Sequence, residues 1–178
     1  MTNKYEKWSG IAAVVAVGLV LNVTPAFADD SGNVVIQGTV APMNQIVVTP
    51  VAGYNALDLT AGATDKQVAT VNEKNNDPDG YTVTLVSANA LAASSSQARL
   101  TGADSDNSQV FNYSMKYGSA GSEAAVTLDG TGSATVTSTS AASIEAGAEK
   151  SLLVTFSGSS WKNADTYSDT ITLTIAAK

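Results

Sequence analysis

Asn75, Asp77 and Asp79, followed at once by Gly80, reproduce the first half of a calcium loop, in which oxygen ligands stand at alternate positions ahead of an obligatory glycine. The second half is missing. The twelfth position, where a bidentate glutamate closes such a site, is Val86. A metal-free turn also accounts for Asn76, Asp77, Pro78, Asp79 and Gly80: proline presets φ, glycine tolerates φ > 0, and Asn and Asp bond nearby amides. No metal or other cofactor is therefore expected, with Asn75, Asp77 and Asp79 as weak calcium candidates. Asp104, Asp106 and Ser108 form a second, looser oxygen cluster.

Other spacings suggest other chemistry. Ser159 and Lys162 have the S-x-x-K spacing by which a lysine deprotonates a serine, but that geometry needs a helical turn, and Ser157-Gly158-Ser159-Ser160-Trp161 reads as a loop. Trp161 and Tyr167 flank the last loop and, if exposed together, would stack on a sugar ring; large aromatics there would equally plug the end of a β-sandwich. Asn112-Tyr113-Ser114 has the pattern of a sequon inside an alternating strand. The chain has no histidine and no cysteine. The usual general base, the commonest metal ligand and any disulfide staple go with them. A non-enzymatic protein is the expectation.

These residues follow a leader. Lys4 and Lys7, the apolar run Ile11 to Leu21 and the small-x-small motif Ala26-Phe27-Ala28 make residues 1–28 a signal peptide cleaved before Asp29. The run is shorter than the roughly 20 residues a spanning helix needs, and no later segment approaches that length, so no membrane span is expected after cleavage. The 178-residue chain carries a net charge of -7, and the leader is slightly basic, so the exported part is more acidic still. Such a surface disfavours nucleic acid and anionic lipid. Residues 29–178 suit one domain with a sizeable core.

The elements that must position the candidates are strands. Val34, Ile36, Gly38 and Val40 alternate with Val35, Gln37 and Thr39; Ala41-Pro42-Met43 then interrupts, and Gln45 to Thr49 resumes before Pro50. Gln67 to Glu73 predicts a modest strand leading into the Asn76–Gly80 turn. Tyr81, Val83 and Leu85 follow as the inward row of a central strand running to Val86. Ala88 to Gln97 admits a helical turn. Phe111, Tyr113, Met115 and Tyr117 mark the next strong strand, followed by Ala125–Leu128, Ala134–Thr137, Leu152–Phe156 and Ile171–Ile175. Gly118–Gly121, Asp129–Ser133, Ala146–Lys150 and Gly158–Asp165 read as turns. Seven or more short strands at about 8–12-residue spacing predict an all-β sandwich.

Val34-Val35-Ile36-Gln37-Gly38-Thr39-Val40-Ala41-Pro42 near the start, with Thr166-Tyr167-Ser168-Asp169-Thr170-Ile171-Thr172-Leu173-Thr174-Ile175 near the end, resembles the layout of bacterial fimbrial subunits. The likeness is to the cysteine-free colonisation-factor type of the alternate chaperone–usher class, and it spans most of the exported chain. It implies an immunoglobulin-like sandwich lacking one strand, supplied by the next subunit. Residues 29–42 would be the N-terminal donor strand and 43–178 the sandwich. Val34, Ile36 and Val40 would enter a neighbour's groove, Gly38 would lie where it is shallow, and Pro42 would be the joint. The implied partners are copies of the chain or homologous pilus subunits, a periplasmic chaperone and an outer-membrane usher; the implied location is a cell-surface fimbria serving adhesion or biofilm. The alternatives are a self-complete secreted sandwich, in which Val34–Val40 folds back on its own sheet, and a calcium- or carbohydrate-binding module.

Overall fold

The computed structural model describes residues 33–178, except the side chains of residues 144–148. The signal peptide expected over 1–28 lies outside the described residues. The chain divides into two units, Met1–Gly38 and Thr39–Lys178. In the first, residues 33–38 form no strand, and Val34, Val35 and Ile36 are 85%, 88% and 93% exposed. Residues 39–43, at the start of the second unit, also lie outside any strand, and Val40 is exposed. The strand predicted over Val34–Val40 is thus not formed within the single chain, because alternation makes a strand only against an edge that offers backbone bonds.

The second unit is all β apart from one short helix. Its strands are β1 (Asn44–Pro50), β2 (Gly62–Asn75), β3 (Tyr81–Ser87), β4 (Arg99–Gly102), β5 (Val110–Gly118), β6 (Ala124–Val126), β7 (Ser133–Thr139), β8 (Ser143–Ser157), β9 (Tyr167–Ser168) and β10 (Ile171–Ala177). The larger sheet runs β1-β2-β8-β5-β4-β9, with β6 also on β5; the smaller runs β10-β3-β7. Every pairing is antiparallel. Ser87 ends β3 and caps α1 (Ala88–Ala92), its hydroxyl accepting from the Ala90 N–H at 3.2 Å.

The core lies between the sheets and follows period two. Ala69 and Val71 of β2, Tyr113, Met115 and Tyr117 of β5, and Leu152, Val154 and Phe156 of β8 face Tyr81, Val83 and Leu85 of β3 and Leu173 of β10. The central position expected for Tyr81–Val86 is observed in the smaller sheet. Two expectations change. Ala146–Lys150 is not a turn but lies within β8, where Ala148, Glu149 and Lys150 pair with Glu73, Asn72 and Val71; the ladder offered by β2 overrides local glycine and alanine content. β2 in turn begins at Gly62, well ahead of the Gln67 start that its apolar content suggests.

The turn before β3 requires its glycine. Gly80 has φ +88, and a Cβ there would stand 2.1 Å from the Thr139 carbonyl oxygen. Gly80→Ala combines a left-handed backbone with a backbone clash, and is expected to cost about 2 kcal/mol or more. Urea denaturation should show a lower midpoint with an unchanged slope.

Candidate functional site

The turn that resembles half a calcium loop uses its oxygens on its own backbone. Asn75 Oδ1 accepts from the Asp77 N–H at 2.9 Å and Asp77 Oδ1 from the Asp79 N–H at 2.9 Å, while the Gly80 N–H reaches the Asp77 carbonyl. Asn75 is buried as the last residue of β2 and bonds Asn44 through its amide. Its neighbour Asn76 holds the entry to β1: its Oδ1 accepts from the Met43 N–H at 2.6 Å, and its Nδ2 donates to the Ala41 carbonyl at 2.8 Å. The residue following Pro42 is thereby clamped to the β2–β3 turn. Among the described residues no group of three or more His, Cys, Asp or Glu side chains gathers to hold a metal.

The remaining candidates do not assemble the chemistry their spacing suggested. Lys162 Nζ stands 5.2 Å over the Phe111 ring, whereas the Ser159 hydroxyl accepts from the Trp161 N–H, so lysine and serine serve different contacts. Tyr167 packs edge-on against Phe111, with ring centroids 4.9 Å apart, and Trp161 is 92% exposed. The two flanking aromatics are not a stacked pair. Asp104 Oδ1 accepts from the Asp106 N–H, and Asn107 and the Asp104 N–H converge on Asp165 Oδ2. Those bonds hold the Asp165 carboxyl below its ordinary range, the Asn107 amide foremost. Asn112 faces outward on β5.

Two polar clusters, one buried and one half-buried, carry no motif in the sequence. Glu73 of β2 is fully buried and accepts from Tyr117 OH at 2.6 Å, Thr137 Oγ1 at 2.9 Å and Tyr81 OH at 3.0 Å. Its signal is register: Ala69, Val71, Glu73 and Asn75 share one face of β2, so the carboxylate sits in an apolar row. At the opposite end of β3, Asp169 accepts from Ser87 Oγ and from Tyr113 OH, both at 2.6 Å. No buried side-chain nitrogen or oxygen among the described residues lacks a partner.

An apolar cleft is lined by residues of both sheets. It measures about 360 Å³ and separates Val48 and Pro50 of β1 from Ile171 and Leu173 of β10. Val68 and Ala69 of β2, Leu152, Val154 and Phe156 of β8, Tyr54, Leu57 and Asp169 also line it. β10 is the edge of its sheet: it bonds β3 on one side and, among the described residues, no strand on the other. The cleft thus combines apolar lining with a strand edge that carries no ladder bonds, though β1 runs close to it, which suits an extended peptide better than a compact polar substrate.

The tyrosines give a pH signature. Burial, and then the Glu73 charge, push Tyr81 up from 10.0 to about 12. Burial also raises Tyr117, reinforced by its bond to Glu73, and Tyr113, reinforced by Asp169. The folded chain therefore holds phenolic protons that the unfolded chain releases above pH 10, so the tyrosines' contribution to stability is level from neutral pH up to that point and falls as pH rises toward 12. Tyrosinate absorbance should accordingly appear together with loss of β circular dichroism. Tyr117→Phe, which removes the shortest bond to a buried carboxylate, is expected to cost about 1–3 kcal/mol in urea.

No protein-family model matches this chain, and no curated protein matches its sequence.

Proposed function

We propose that the chain is a structural, non-enzymatic subunit of an extracellular fimbria, polymerising by donor-strand complementation and serving adhesion or biofilm. The observation that carries this is the apolar cleft beside the edge of β10. A matching ligand exists in the same sequence. Val34, Ile36 and Val40 are exposed large apolar residues at period two, and Val34–Val40 has the same length as the 7-residue β10.

Inserted from a second copy, Val34–Val40 extends the smaller sheet by one strand and presents its apolar row to the cleft. Each large side chain buried in this way contributes roughly 1.5–3 kcal/mol, beside the backbone ladder formed with β10. On this reading Gly38 is the position of the strand that needs no deep pocket, and Pro42 is the joint at which the strand leaves its own domain. The completed sandwich is immunoglobulin-like. Lending a strand to the next copy is a head-to-tail contact that need not close, and so makes a filament. A periplasmic chaperone and an outer-membrane usher are the partners such export requires, and the location is the cell surface.

Deleting Asp29–Val40 is expected to leave the β circular dichroism intact and abolish multimers, while Ile36→Asp reduces them strongly by placing a charge in an apolar cleft. The check is the heat-labile ladder of multimers on unboiled gels. Persistence of that ladder in the deletion would sink the proposal and leave a self-complete sandwich in its place.

A further inference from the structure

We infer that Asp169 is the positioning residue of the cleft, fixing the edge of β10 in the place where an incoming strand must meet it. The inference rests on the donor-strand reading and adds to it a residue outside the apolar lining. Its basis is the path of the chain. Tyr167 and Ser168 form β9 and pair with Gly102 and Thr101 in the larger sheet, whereas Ile171 opens β10 in the smaller. The backbone therefore crosses between sheets at Asp169 and Thr170, both of which line the cleft.

A two-residue crossing has little intrinsic stiffness, and among the described residues β10 is paired with a strand along one side only. The Asp169 carboxylate supplies what the strand lacks. Oδ2 accepts from Ser87 Oγ at the end of β3 and from Tyr113 OH on β5, both at 2.6 Å, joining the two sheets through one atom. Oδ1 accepts from the Asn89 N–H of α1 at 3.0 Å and from the Thr170 N–H at 2.8 Å. The Ala88 N–H and the Thr170 carbonyl close the same corner at 2.9 Å. The separation of Tyr113 and Ile171, both of which line the cleft, is thus set by four charge-assisted hydrogen bonds to one side chain, which are stronger than neutral ones. Without them, β10 drifts and its edge is presented in many registers.

The test is a titration of the purified chain with a fluorescently labelled peptide of residues 33–42. Asp169→Ala and Tyr113→Phe are each expected to weaken binding about tenfold or more, Tyr113→Phe doing so while retaining the apolar ring that lines the cleft. Tyr81→Phe is the control: Tyr81 bonds Glu73 and pairs with Ala177 at the far end of β10, so it should lower stability yet leave peptide affinity within about twofold of the original. Amide exchange at Leu173 and Ile175 should quicken in Tyr113→Phe and not in Tyr81→Phe. If Asp169→Ala does not fold, Tyr113→Phe decides. Equal binding by the original chain and Tyr113→Phe overturns the role of Asp169 and leaves the donor-strand reading standing; failure of the original chain to bind the peptide overturns both.

Discussion

The structure is governed by a mismatch of width: a three-stranded sheet is laid over one of seven strands. Tyr81, Val83 and Leu85 are seated where β3 crosses the middle of the larger sheet, and there the packing is tight. Beside β10 the smaller sheet runs out while the larger continues through β2 to β1, and the cleft occupies that step. Protein interiors are close-packed, and an apolar hollow costs free energy in proportion to its size. A cleft of about 360 Å³ beside β10 is therefore where this fold leaves apolar surface unfilled.

Two carboxylates tie the sheets together, one toward each end of β3. Glu73 binds hydroxyls from both sheets near the Tyr81 end, and Asp169 does the same near the Ser87 end. Each is surrounded by neutral donors. A buried carboxylate is tolerable only when its lone pairs are filled, and filling them fixes the distance between the elements that supply the donors. With no disulfide available, these clusters take over the specifying role that a covalent bridge would have between two sheets.

Much of the fold was legible because β structure writes itself in alternation. Tyr81–Val86 and Phe111–Tyr117 read correctly since one face is apolar and the other is not. β4, around Leu100, and the Ala146–Lys150 part of β8 did not, because short or Ala- and Gly-rich strands are held by their partners and carry little pattern of their own. The candidate site divides similarly. Val34, Ile36 and Val40 stood out as apolar alternation, and the turn Asn76–Gly80 as turn chemistry. The cleft was invisible, since Val48, Val154 and Ile171 lie far apart in sequence and only topology brings them together. Asp169 hid in a run of threonines and serines for the same reason: its meaning comes from Ser87 and Tyr113, far along the chain.

A strand edge without ladder bonds next to apolar surface would ordinarily be a hazard, because it invites unregulated pairing. The polar face of β10 limits this: Thr172 and Thr174 point outward, while Ile171, Leu173 and Ile175 point toward the core. Only a strand with apolar residues at every second position satisfies the cleft and the edge together, and a one-residue slip turns its apolar side chains to solvent. Specificity on the donor-strand reading therefore comes from register. A filament built of such contacts gains stability for each subunit in proportion to how well the strand is held, since whatever binds only the folded form stabilises it.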